Sequence, residues 1–125
     1  MTLETETGTC HCGAVAFEVD LADGFQNLRR CNCSLCRRKG AVMAGVPLDR
    51  LRVVRGADVL TLYQWNTRTA EHYFCSVCGI YTHHRRRSAP DEYGFNVACI
   101  EGVDLQRLGP VGASNGAAQS LVAAD

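Results

Sequence analysis

The sequence predicts a mainly β domain, a folded sheet or sandwich stapled by metal, and three observations carry that expectation. Apolar residues recur at every second position in short runs, no window of about twelve residues carries a helical stripe, and seven of the eight cysteines fall into three tight groups. At 125 residues the chain is expected to be a single domain, with a core over about 8–108 and a loosely held, Gly/Ala/Ser-rich tail over 109–125.

The strand expectation starts at residues 14–21, AVAFEVDL, where Val15, Phe17, Val19 and Leu21 alternate with other residues. Period two puts those four side chains on one face of a half-buried strand. Further strands are expected over 41–46, 51–54, 59–65, 69–74, 80–83 and 93–99. Residues 59–65 and 69–74 flank Asn66, Thr67 and Arg68, a turn-forming group, and are expected to form a hairpin. A short helical turn is expected from Ser34 through Arg38.

Lys plus Arg and Asp plus Glu are both 13, for a formal net charge of zero. Nucleic-acid domains show a basic excess, so nucleic acid is not the expected partner. No run approaches the roughly 18 apolar residues of a membrane span. Residues 1–8 are polar, with Glu4 and Glu6, and lack the basic start and apolar stretch of a signal peptide. The expected compartment is the cytoplasm, where metal rather than disulfides is the expected use of cysteine.

Cys10 and Cys12 form a Cys-x-Cys pair, Cys31, Cys33 and Cys36 a Cys-x-Cys-x-x-Cys triple, and Cys75 and Cys78 a Cys-x-x-Cys pair, while Cys99 stands alone. Spacings this short let one turn aim two thiolates at one ion. Gly13 and Gly79, after the pairs, suit such turns because glycine tolerates positive φ. A closed structural zinc site takes four ligands. The triple can wrap one ion from a single loop, which leaves the two distant pairs to share another. Two zinc ions per chain are therefore expected, one on Cys10, Cys12, Cys75 and Cys78 and one on Cys31, Cys33 and Cys36. The second would keep an open position, as catalytic zinc sites do. Other readings stay open: Cys99 or a histidine closing the second site, an iron–sulfur cluster, or disulfides. Cys99 itself reads as a small core residue.

The ordered motifs GTCHCGAVAFEV, CNCSLCRRKGA and YFCSVCGIYTHH resemble the glutathione-dependent formaldehyde-activating enzyme family, which includes the CENP-V-type proteins. The match runs over about residues 9–104. The resemblance implies a β-rich, Mss4-like fold and the same division of metal sites. It also implies carbon–sulfur lyase chemistry, in which formaldehyde and glutathione combine to S-hydroxymethylglutathione. The chain differs from the namesake in being short and in carrying HHRRRSAP over 83–90.

Coordination at an open three-thiolate site favours the thiolate of a substrate thiol, which then adds to a small carbonyl compound. Arg37 and Arg38, followed by Lys39, stand beside the triple and are expected to hold the carboxylates of a glutathione-like thiol. The plainer reading of this run is a solvated turn. His83 and His84 suggest acid–base roles, set against a surface or hydrogen-bonded structural reading, and Arg85, Arg86 and Arg87 suggest anion or nucleic-acid contact, set against a surface loop. His11 is expected to face away from the metal, and His72 to be a strand residue. The alternative function is a non-catalytic interaction module with two structural zinc ions. A homodimer is expected from the sheet edges such a fold must cover.

Overall fold

The computed structural model describes residues 4–21, 24–65, 68–87 and 89–114. In chain order the strands are β1 (Thr5–Thr9), β2 (Ala16–Asp20), β3 (Arg29–Cys31), β4 (Met43–Pro47), β5 (Leu51–Arg55), β6 (Leu60–Tyr63), β7 (Glu71–Cys75), β8 (Tyr81–Arg85), β9 (Glu92–Asn96) and β10 (Gly112–Ser114). One short helix, α1 (Ser34–Lys39), follows β3. The strands form a three-stranded sheet, β1-β2-β5, and a seven-stranded sheet, β10-β3-β4-β9-β8-β7-β6. The mainly β, two-sheet expectation holds.

The core joins the two sheets. Val15, Phe17, Val19 and Leu21 are all buried, as their alternation requires. Phe17, Val19 and Leu51 from the smaller sheet cluster with Ala44, Val46 and Phe95 from the larger one. The Phe17 and Phe95 ring centroids lie 6.4 Å apart at a tilt of 58°, within the favoured range for aromatic pairs. Gly8 pairs with Phe17 across β1 and β2, and the Phe17 ring occupies the space a Cβ at Gly8 would need. The glycine therefore lets the largest fully buried ring of β2 lie against β1.

The expected hairpin is present as β6 and β7, antiparallel from Leu60 opposite Cys75 to Tyr63 opposite His72. Of its turn, Asn66 and Thr67 lie outside the described residues. The strand expected over 93–99 stops at Asn96, whose Oδ1 accepts from the Ala98 N–H at 3.2 Å and caps a 3-10 turn over Val97–Cys99. Part of the stretch expected as a loose tail, from 109, is described. Gly112–Ser114 adds in parallel beside β3, with the Gly112 N–H donating to the Leu28 carbonyl at 2.8 Å. A three-residue strand of Gly, Ala and Ser carries no alternation that announces it. Residues 115–125 lie outside the described residues. β1 and β3 were likewise not expected, being polar or only three residues long.

Candidate metal centres

Cys10, Cys12, Cys75 and Cys78 come together from opposite parts of the chain, with all four Sγ atoms within 4.8 Å of one another. Each pair sits in a tight backbone turn. The Cys10 N–H donates to the Val15 carbonyl at 3.1 Å, and the Cys75 N–H to the Ile80 carbonyl at 3.0 Å. Gly13 and Gly79 close the turns at φ 82° and 79°, the positive φ expected of them. Backbone N–H groups point back at the sulfurs, from Val15 to Cys10 Sγ at 3.3 Å and from Val77 to Cys75 Sγ at 3.4 Å. Such donors stabilise thiolate over thiol. At Cys78 a backbone hydrogen bond at Cys12 is the largest influence, burial opposes it, and a second at Ile80 adds to it. The Cys78 thiol is held at about 6.

The spacing of these sulfurs suits a tetrahedral ion. Zinc–sulfur bonds of about 2.3 Å give a tetrahedron with edges of about 3.8 Å. The Cys10–Cys12 and Cys12–Cys75 Sγ separations are both 3.7 Å. They are far too long for disulfides, and none of the eight cysteines is disulfide-bonded. Around the sulfurs, Cys10, Val15 and Cys75 form a small buried cluster against Val59 and Leu60, so the site lies on a hydrophobic footing.

Cys31, Cys33 and Cys36 form the second group, again within 4.8 Å. Cys31 ends β3. Cys33 is the N-cap of α1, its Sγ accepting from the Cys36 N–H at 3.3 Å where a serine or aspartate oxygen is usual. Gly40 ends the helix in the left-handed region, φ 65°, and donates to the Cys36 carbonyl at 3.0 Å. Among the described residues no further Cys, His, Asp or Glu joins the trio. Cys31 and then Cys33 crowd the Cys36 thiol and push it far above the ordinary thiol range. Three sulfurs so close cannot all ionise without a cation, and a bound cation reverses that preference. Both donor sets fit zinc on coordination chemistry. Cys99 belongs to neither, packing in the core with its Sγ 3.6 Å from the Tyr81 carbonyl.

The basic residues after the trio differ in their placement. Arg37 and Arg38 are exposed, and Arg38 Nη1 donates to the Ser34 carbonyl at 2.7 Å. Lys39 leans inward instead, with Nζ 4.1 Å from the Tyr81 ring centroid and 5.8 Å from that of Phe74. In the second run, Arg85 Nε donates to the Pro90 carbonyl at 2.6 Å and Arg86 pairs with Glu92 at 3.0 Å. Those two arginines brace the β8–β9 connection.

The histidines follow the structural reading rather than the acid–base one. His11 is exposed, but His72, His83 and His84 are buried. His83 stacks on Tyr73 at 4.8 Å and hydrogen-bonds Thr82 Oγ1 through Nδ1 at 2.9 Å. His72 stacks on His84 at 5.3 Å, and its Nδ1 lies 3.1 Å from the Tyr81 hydroxyl. Burial holds His72 and His83 at about 4, and His84 well below its usual value. Arg29, on β3 two residues before Cys31, is also buried, at 6% exposure. Its neighbourhood in the sequence, LRRCNC, carries no alternation that would have singled it out.

The two-sheet β domain thus carries a four-cysteine and a three-cysteine group, each of which could hold a metal ion. The chain belongs to the glutathione-dependent formaldehyde-activating enzyme family, whose model matches residues 5–113. A Halomonas elongata protein named "Putative glutathione-dependent formaldehyde-activating enzyme" is 38% identical over 80 residues, covering 57% of this chain and 50% of the relative. The match thus spans half the length of that relative. The crystal structure of a Rhodobacter sphaeroides protein, a structural genomics target, is similar with a TM-score of 0.83 at 62% identity, covering 86% of this chain and 99% of that one.

Proposed function

We propose that the protein joins a small aldehyde, formaldehyde or a close relative, to a glutathione-like thiol, as a carbon–sulfur lyase of the formaldehyde-activating type. The observation that carries this reading is the inequality of the two clusters, four sulfurs in one and three in the other. A four-sulfur set closes a tetrahedron and serves the fold, whereas a three-sulfur set leaves a coordination position for substrate. In this reading each chain holds two zinc ions, and zinc on the trio would supply Lewis-acid and thiol-activating chemistry.

The remaining roles belong to this chain's side chains. Cys31, Cys33 and Cys36 provide the reaction centre. Arg37 and Arg38, exposed at the end of α1, hold the carboxylates of the thiol. Lys39, drawn over Tyr81, adds positive charge beside the sulfurs. The family and the relative matched over half its length support the thiol and aldehyde classes.

The test follows the exchange of formaldehyde with glutathione by NMR, with and without zinc-loaded protein. The reading expects exchange at least tenfold faster with protein. A rate equal to that in buffer retires the proposed reaction.

A further inference from the structure

Gly94 on β9 pairs with His84 on β8 and with Gly45 on β4. A Cβ at Gly94 would strike His84 Cε1 and come within 3.0 Å of both Arg29 Nη2 and His84 Nδ1. Those two 3.0 Å approaches to one point put the nitrogens no more than 6.0 Å apart. Neither is at the surface, since Arg29 is 6% and His84 9% exposed. Arg29 Nη1 donates to the Asn27 carbonyl at 3.0 Å. His84 Nδ1 is buried and has no hydrogen-bond partner. Buried polar atoms are nearly always satisfied, so an orphan aimed at a cradle beside a guanidinium points to a polar group that binds there.

Arg29 comes from the strand that carries the first cysteine of the trio. Arg29 and Cys31 are two apart on β3 and so share a face. Arg29 brings positive charge here, offset in part by Cys31 and Glu92. Burial first, then His72, Arg29 and Arg86, keep His84 neutral, while Glu92 pairs with Arg86 at 3.0 Å. Buried, convergent donors favour an oxygen on which negative charge grows.

We propose that Arg29 Nη2 and His84 Nδ1–H form an oxyanion site that takes the carbonyl oxygen of the aldehyde as the thiolate adds to its carbon. The inference rests on the trio being the reaction centre. In the step, the thiolate sulfur forms a bond to the carbonyl carbon and the carbon–oxygen π pair moves onto the oxygen. That oxygen then takes up one proton, equal to the one the thiol released, giving the hydroxymethyl thioether. Gly94 leaves room for the His84 ring, which lies where a Cβ would be.

Formate, a planar oxyanion small enough for the cradle, is the probe. Zinc-loaded protein labelled with 15N-histidine is titrated with sodium formate against sodium chloride at equal ionic strength. A saturable shift of the His84 Nδ1 resonance is expected, and Arg29→Lys should weaken it at least tenfold. In thiol–aldehyde assays, His84→Phe keeps the ring stacked on His72 but removes the donor. It should lower kcat about 100-fold with the thiol KM within threefold and the metal content unchanged. A His84 resonance in the wild-type protein that formate does not move overturns the proposal, as does a His84→Phe kcat within threefold of wild type. If the wild-type protein shows no thiol–aldehyde activity, the formate titration still decides the site, so the two readings fail separately.

Discussion

Cys12 and Cys75 are 63 residues apart in the chain, yet their Sγ atoms lie 3.7 Å from each other. That contact ties the turn after β1 to the end of β7, and so ties the smaller sheet to the larger one. By contrast the trio is local, spanning the end of β3 and the first turns of α1. The two clusters should therefore differ in what they do for the fold.

Cys75→Ser should unfold or aggregate the domain, because a closed four-thiolate site contributes folding energy directly. Cys36→Ser should lose one of two zinc ions and keep most of the fold. Metal analysis with circular dichroism and urea unfolding checks both. Equal collapse of the two variants would argue against a separate, open trio site.

Arg37→Ala combined with Arg38→Ala should raise the KM for glutathione several-fold and leave kcat nearly unchanged, the pattern of lost ground-state binding. Steady-state kinetics with glutathione and a thiol lacking carboxylates separates the cases. The smaller thiol should not respond to the substitution.

Gly8→Ala should destabilise the protein by about 1–3 kcal/mol, the usual range for overpacking, because its Cβ needs space held by the Phe17 ring. The urea midpoint reads this. An unchanged midpoint would mean that β1 moves freely over Phe17.

Burial holds His83 at about 4, below the 6.5 expected of an unfolded histidine. Between those two values the unfolded chain binds the proton and the folded one does not, so stability rises with pH there. The His83 contribution is absent as a penalty above pH 6.5 and grows as pH falls toward 4, to on the order of 3 kcal/mol. NMR should find the His83 ring neutral at pH 5. A ring titrating near 6.5 would contradict the buried placement.

Much of the architecture was legible because it follows from strong periodic signals. Val15, Phe17, Val19 and Leu21 had to face inward, and β6 and β7 had a turn between them. The cysteine grouping was legible for a similar reason, since thiolates that share an ion from one turn must sit two or three residues apart. What escaped was set by tertiary contact. β10 is held by backbone pairing that leaves no mark on its side chains. His72 and His84 are buried by the strands that flank them, not by anything in EHYFC or YTHHR itself. Arg29 and Gly94 acquire their relation only when β3, β4, β9 and β8 lie side by side.

The measurement that bears most directly on the account is an anomalous-difference map at the zinc edge from crystals of the protein. Two peaks are predicted per chain, one among Cys10, Cys12, Cys75 and Cys78 and one bound by Cys31, Cys33 and Cys36 with no fourth side chain. A fourth protein ligand on the second ion, or a trio without metal and with its sulfurs joined to each other, would contradict it.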